Sequence, residues 1–200
     1  SIGLCDSYNL CGALEFAEKI SKSGTQPIIG SQINFALEGE IGKLVIFAKT
    51  AKGYKNLTKL SSKSYLDTNE KSDPHCQFED LLKSNQDLIL LSGNSNDLFG
   101  KLFKLNKLKE IEKYFQKLKD IFSNRFYIEI QRHNEINEKS FETYLINISL
   151  KLNIPLIASQ EVYYLKKDMY EAHDALICIG EKSFVSETKR KKFNDQHYLK

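Results

Sequence analysis

Short apolar runs alternating with segments of helical period constrain this chain more than any other feature it has. Strand-like runs fall at 2–5, 27–35, 43–49, 87–92, 126–131 and 155–159. Between them, apolar residues recur every three or four positions, as at Leu10, Ala13, Leu14, Ala17 and Ile20, or at Ile111, Phe115, Leu118 and Phe122. Gly24 stands where a helix C-cap glycine belongs and Pro27 follows as a stop. Repeated strand–helix units predict an α/β fold built on a parallel sheet or barrel. The stretch 66–77 is polar, holds Pro74 and reads as a loop. The Lys-rich stretch 96–123 reads as one amphipathic helix or a pair, and Asn137 reads as the cap of a helix carrying Phe141, Tyr144, Leu145, Ile148 and Leu152. A last helix is expected over 167–179, followed by an irregular tail from Gly180.

Composition narrows the classes. With 41% apolar and 28% charged residues the 200-residue chain has the make-up of an ordinary globular domain. No run approaches the ~20 apolar residues of a membrane span. The net charge of +3 is too small to mark a nucleic-acid binder, and only Arg125, Arg132 and Arg190 supply guanidinium. Cys5, Cys11, Cys76 and Cys178 form no C-x-x-C pair, which leaves zinc-ribbon and thioredoxin readings unsupported and predicts four reduced thiols in a cytoplasmic protein. No G-x-G-x-x-G follows a strand, so a Rossmann unit is excluded. The opening Ser1-Ile2-Gly3-Leu4-Cys5 has no initiator Met and no signal pattern, and reads as cut from something longer.

Several segments, in order, resemble the PHP domain of the alpha subunits of bacterial DNA polymerase III. They are Gly3 to Phe16, Pro27-Ile28-Ile29-Gly30, Leu44 to Ala48, Gly53-Tyr54-Lys55-Asn56-Leu57 and Leu90-Leu91-Ser92-Gly93. Phe126 to Ile130, Ile154 to Ala158, Glu171-Ala172-His173-Asp174 and Gln196 to Lys200 complete the set. The resemblance spans nearly the whole of 1–200. It implies a distorted (β/α)7 barrel lacking its first strand, with functional residues at the C-terminal strand ends. That first strand, with its His-x-His, would precede Ser1, and the palm, fingers and thumb of a polymerase would lie outside the chain.

Relatives with an intact centre hold three metals and hydrolyse phosphoesters. The resemblance sets this chain's residues against their ligands one by one. Ser7 stands in place of a His, Gln32 of a Glu, Lys43 of a His, and Asn94 of a Cys or His. Glu161 and Tyr163 replace an Asp-x-His pair. Lysine brings positive charge to a place where cations should sit. Asp6 and Glu161 remain as weak anionic candidates for Mg²⁺ or Ca²⁺, which accept oxygen ligands. No catalytic residue, cofactor or tight metal cluster is therefore expected in 1–200, while Mg²⁺ belongs to the whole polymerase.

The leading expectation is a non-catalytic scaffold in a chain that replicates chromosomal DNA by template-directed synthesis. The implied partners are the rest of the alpha chain, the proofreading exonuclease subunit, the sliding clamp, other holoenzyme subunits and DNA. A residual metal-dependent phosphoesterase or 3′–5′ exonuclease is the alternative. A third reading makes Lys189-Arg190-Lys191-Lys192 a nucleic-acid contact. The Lys stripe over 101–119 reads as a solvated face, His133 as a surface or loop residue, His173 as a structural hydrogen-bonder, and His197 as packing onto a following domain.

Overall fold

In a computed structural model, which describes residues 1–69 and 72–200, the predicted alternation becomes seven strands and seven α-helices. β1 (Ile2–Ser7) leads to α1 (Ala13–Lys22), then β2 (Pro27–Leu37), β3 (Glu40–Ala48) and α2 (Ala51–Leu66). β4 (Cys76–Gln77), α3 (Phe78–Lys83), β5 (Leu88–Leu91), α4 (Leu98–Lys104) and α5 (Leu108–Phe122) follow. The order ends with β6 (Phe126–Ile130), α6 (Glu138–Leu152), β7 (Leu156–Ala158) and α7 (Tyr170–Glu181).

The sheet order is β1-β2-β3-β5-β6-β7, with β4 beside β2. The α/β fold stands as expected, but its sheet is not parallel throughout. β1 and β2, β5 and β6, and β6 and β7 run parallel, but β3 is antiparallel to both β2 and β5. The cause is a hairpin closed by Glu38 and Gly39, both at positive φ (52° and 85°), so that Leu37 faces Glu40. Two residues at positive φ give the primed turn whose twist matches paired strands. The hairpin also lengthens both strands past their predicted ends.

Other boundaries move less. α1 ends as read: Gly24 (φ 71°) donates to Ser21 O and Thr25 N–H reaches Ile20 O, a Schellman closure. The amphipathic stretch resolves into the pair α4 and α5. The loop expected over 66–77 gives up Leu66 to α2 and Cys76–Gln77 to β4; Glu70 and Lys71 lie outside the described residues. Asn137 occupies the N-cap of α6 but makes no side-chain cap bond. Glu138 does the local work instead, its Oε2 accepting from the N–H of His133 and Glu135.

Strand residues alternate between two sides. Ile33 and Phe35, Leu44 and Ile46, Leu88 and Leu90, and Phe126 and Ile128 all join one fully buried cluster with α2 to α6. Phe115 sits at its middle, edge-on to Phe99 (4.7 Å) and Phe126 (5.4 Å). The intervening residues face inward. β2 and β7 lie four strand spacings apart, roughly 19 Å in a flat sheet. Yet Gln32 on β2 bonds Glu161, three residues past β7, at 3.2 Å. The sheet is therefore curled, and its inner face encloses a cleft.

Candidate functional site

The cleft has a volume of about 470 Å³ and its wall includes Ser7, Lys43, Asn94, Asp97, Glu129, Gln131, His133, Glu161, Tyr163 and His197. Strand pleat explains who arrives. On β1, Ser7 points inward and its hydroxyl donates to Gln32 Oε1 at 2.8 Å, across the parallel pair Ser7–Gln32. Lys43 on β3 reaches the same Gln32 oxygen at 2.8 Å. It also donates to Glu161 Oε1 at 3.4 Å and lies 3.8 Å from Asp97 Oδ1. Five of the six residues that the resemblance set against metal ligands (Ser7, Lys43, Asn94, Glu161 and Tyr163) thus line the cleft, and Gln32 bonds into it.

Asp6 does not join them. One residue out of phase with Ser7, it turns to the other side of β1, where its carboxylate lies beside Gly12. The expectation that Asp6 and Glu161 share an ion is corrected by this parity. The second shared network was not anticipated. Asn94 Nδ2 donates to Gln131 Oε1 (3.3 Å), and Gln131 Nε2 donates to Glu129 Oε1 (2.9 Å), which Ser159 also reaches. Asp97 caps its own loop, accepting from Asn94 N–H at 2.9 Å.

The electrostatics follow from burial and charge. Burial draws Lys43 downward, but Asp97 and Glu161 outweigh it and hold the ammonium above the ordinary lysine range. Burial raises Glu161, and Lys43, Tyr163 and Gln32 together reverse this to a net lowering. Asp97, 3% exposed, is pushed up to about 6, mainly by burial, against the pull of Lys43. Glu129 is raised by burial too, and its Oε2 has no hydrogen-bond partner, as is true of Asp97 Oδ1.

The histidines are corrected. His133 lies in the loop after β6, one of its two expected places, but is buried there and stacked on His197 with centroids 4.2 Å apart. His197 is buried within this chain, its Nδ1 at 3.1 Å from Glu161 O. Burial and then the neighbouring His197 lower His133 below the usual imidazole value. His173 stacks on Tyr163 (5.2 Å) and its Nδ1 has no hydrogen-bond partner, so stacking replaces the expected bond. The tail folds back as a strap: Tyr163 N–H donates to His197 O (2.9 Å) and Asn194 Nδ2 to His133 O (2.6 Å).

The basic cluster is largely engaged. Arg190 is buried in a two-pronged pair with Asp174, both contacts 2.6 Å. Lys191 faces Glu181 at 3.6 Å, and Lys192 lies over the Tyr170 ring. Arg190 is thereby turned inward, while Lys189, Lys191 and Lys192 remain exposed.

The model of one family, the PHP domain, matches residues 1–133. The chain belongs to the PHP domain family. It is 39% identical to a DNA polymerase III subunit alpha from Rickettsia bellii, over 100% of this chain and 17% of that protein. The corresponding subunit of Caulobacter vibrioides is 34% identical over 99% and 18%, and that of Pseudomonas aeruginosa 27% over 100% and 17%. The chain thus spans about one sixth of the length of these relatives. A solved structure from Bifidobacterium adolescentis, described as a metal-dependent phosphoesterase, overlaps at a TM-score of 0.49 with 10% identity, over 80% of this chain and 76% of that one. No reading of function rests on that loose overlap.

The centre of this family raises the question of which groups in the cleft could hold a metal. Among the described residues no three His, Cys, Asp or Glu are arranged to hold an ion. His133 and His197 are stacked on each other, His197 is tilted against Tyr163, and Gln32 Oε1 and Glu161 Oε1 face an ammonium. Among the described residues no Cys lines the cleft, while His133 Nδ1 and His197 Nε2 are buried without a hydrogen-bond partner. Among the described residues no helix is long and apolar enough to cross a membrane.

Proposed function

We propose that this PHP domain is a non-catalytic scaffold of a DNA polymerase III alpha chain, working in the cytoplasm in template-directed chromosomal replication, with its metal centre dismantled. One observation carries the reading. The Lys43 ammonium occupies the point where Gln32, Glu161 and Asp97 converge, at 2.8, 3.4 and 3.8 Å. A protonated lysine there opposes a second cation by direct repulsion and takes up Gln32 Oε1 and Glu161 Oε1, two of the oxygens a metal would need. The similarity to replicative polymerase subunits along the full chain supports the setting. In that setting Mg²⁺ serves the polymerase centre elsewhere in the chain. The domain supports that chain and offers a docking surface to the proofreading exonuclease subunit, beside the clamp, other holoenzyme subunits and DNA.

The test is metal analysis of the purified full-length polypeptide after dialysis, paired with hydrolysis of a model phosphodiester. Sub-stoichiometric metal and no Mn²⁺-dependent hydrolysis are expected. Two or more tightly held metals per chain, or hydrolysis lost on Glu161→Gln, would establish the residual phosphoesterase instead.

A further inference from the structure

Past α7 the described chain has no helix and only an isolated bridge, Tyr164 to Tyr198, yet it returns to form part of the cleft wall through Lys191, Phe193 and His197. Little apolar burial holds it there. In 183–200 only His197 is buried as a whole residue, while Phe184 and Val185 are exposed. A segment anchored in this way opens at a lower free energy than the strands beneath it. Its fixed points are on α7. Asp174 and Arg190, with side chains 8% and 4% exposed, form a two-pronged pair with both contacts at 2.6 Å. The same guanidinium donates to Val185 O and Lys191 O at 3.3 Å, so it ties both arms of the loop 185–191 to the helix. One residue earlier on α7, His173 lies against Phe193 (centroids 5.9 Å), which also meets Tyr163 (4.7 Å) and His197 (5.2 Å). His197 in turn covers the buried ring of His133.

We propose that residues 183–200 are a hinged strap over the His133 side of the cleft, latched to α7 by Asp174 and Arg190, and that releasing the latch opens this wall while the sheet and its helical layer stay folded. The hinge is Lys182, which ends α7 in the left-handed region (φ 53°). Glu171-Ala172-His173-Asp174 then has a task that packing alone does not give it. Its last two residues clasp the strap, His173 by ring contact and Asp174 by charge. The charged half matters more, because a buried carboxylate or guanidinium left without its partner is costly. The latch lies on α7, outside the carboxylate cluster of the cleft, and works whatever the cleft holds.

The experiment compares the full-length chain with its Asp174→Ala variant by hydrogen–deuterium exchange and by diethylpyrocarbonate labelling of histidines, both read by mass spectrometry. In the variant, protection of peptides from 183–200 should fall roughly tenfold or more, while peptides from β2, β5 and α5 change by less than about threefold. Labelling of His133, shielded in the parent, should rise severalfold, with His75 in the loop before β4 as the reference in both proteins. Parent-like exchange in the strap, or protection lost evenly through β2, β5 and α5, overturns the latch. A strap that exchanges freely above an unlabelled His133 overturns its role as a cover. Should Asp174→Ala fail to fold, Asp174→Ala with Arg190→Met removes both charges and strands neither. A folded double variant with a freed strap supports the latch. One whose strap stays protected, or one that does not fold, makes the pair part of the folding core and overturns it.

Discussion

The two sides of one sheet are built from alternate residues of the same strands, yet they differ in almost every physical respect. Outward, Phe99, Phe115 and Phe126 meet edge to face without a polar atom between them. Inward, Gln32, Lys43, Asp97 and Glu129 crowd a cleft in which two carboxylate oxygens lack donors. The contrast separates folding from chemistry. The helical side supplies apolar burial and needs nothing from the cleft. The inner side can therefore carry a lysine, a glutamine and an asparagine among its carboxylates while the strands stay in place.

The hardest challenge to that separation is Phe115→Ala. Phe115 is fully buried between two other aromatic rings. Its truncation should cost about 3–5 kcal/mol, through lost burial and an unfilled cavity. Urea unfolding of the polypeptide carrying this domain measures it. A loss smaller than that of any single cleft substitution would mean that the inner side holds the fold together.

The next test runs through pH. Asp97 titrates at about 6 in the folded protein against 3.8 ordinarily, chiefly because it is buried. Between those values the native state holds a proton that the unfolded chain has released. This residue's contribution therefore falls as pH rises from about 4 to about 6, by on the order of 2 kcal/mol, and stays low above that. Relative to the parent, Asp97→Asn should gain stability on moving from pH 4 to pH 7. Parallel stability curves for the two proteins would show that Lys43 already offsets the whole cost of burying this carboxylate.

The outward side was legible in the sequence because period and composition agree there. The face through Ile111, Phe115, Leu118 and Phe122, and the Gly24 stop, both stand as read. The β2–β3 hairpin was hidden because Glu38-Gly39 lacks the Asn or Asp that usually announces such a turn. In the cleft, resemblance alone located Ser7, Gln32, Lys43, Asn94, Glu161 and Tyr163; residue chemistry by itself would not have. Glu129 and Gln131 were missed because polar alternation on a strand looks the same facing water or facing a cleft. The available signal was topological: β6 lies between β5 and β7, so its polar residues had nowhere exposed to point. Asp6 misled for the complementary reason, since a single step along β1 reverses the face.

Glu129→Gln sharpens the comparison from inside the cleft. The amide keeps an oxygen for Ser159 and removes a buried charge whose second oxygen is unpaired. A gain of about 1 kcal/mol near pH 7 is expected, in contrast to any truncation on the helical side. Thermal melts of the variant and its parent decide the sign, and a clear loss would assign Glu129 a partner in the working protein.

The smallest effects separate lysines that share one stripe but not one role. Lys101 on α4 donates to Ile41 O at 2.6 Å and braces the hairpin against the helical layer. Its replacement by Met keeps the stem and strands that carbonyl, at a cost of about 1 kcal/mol. Lys117 on α5 lies outside this bracing, and Lys117→Met should fall within about 0.5 kcal/mol of the parent. Neither change should alter the salt slope of DNA binding by the full chain, because the stripe works as bracing and as a solvated face, with no phosphate track to lose. A slope reduced by about one for Lys117→Met would place a phosphate on α5 and make the helical side, not the cleft, the one that meets nucleic acid.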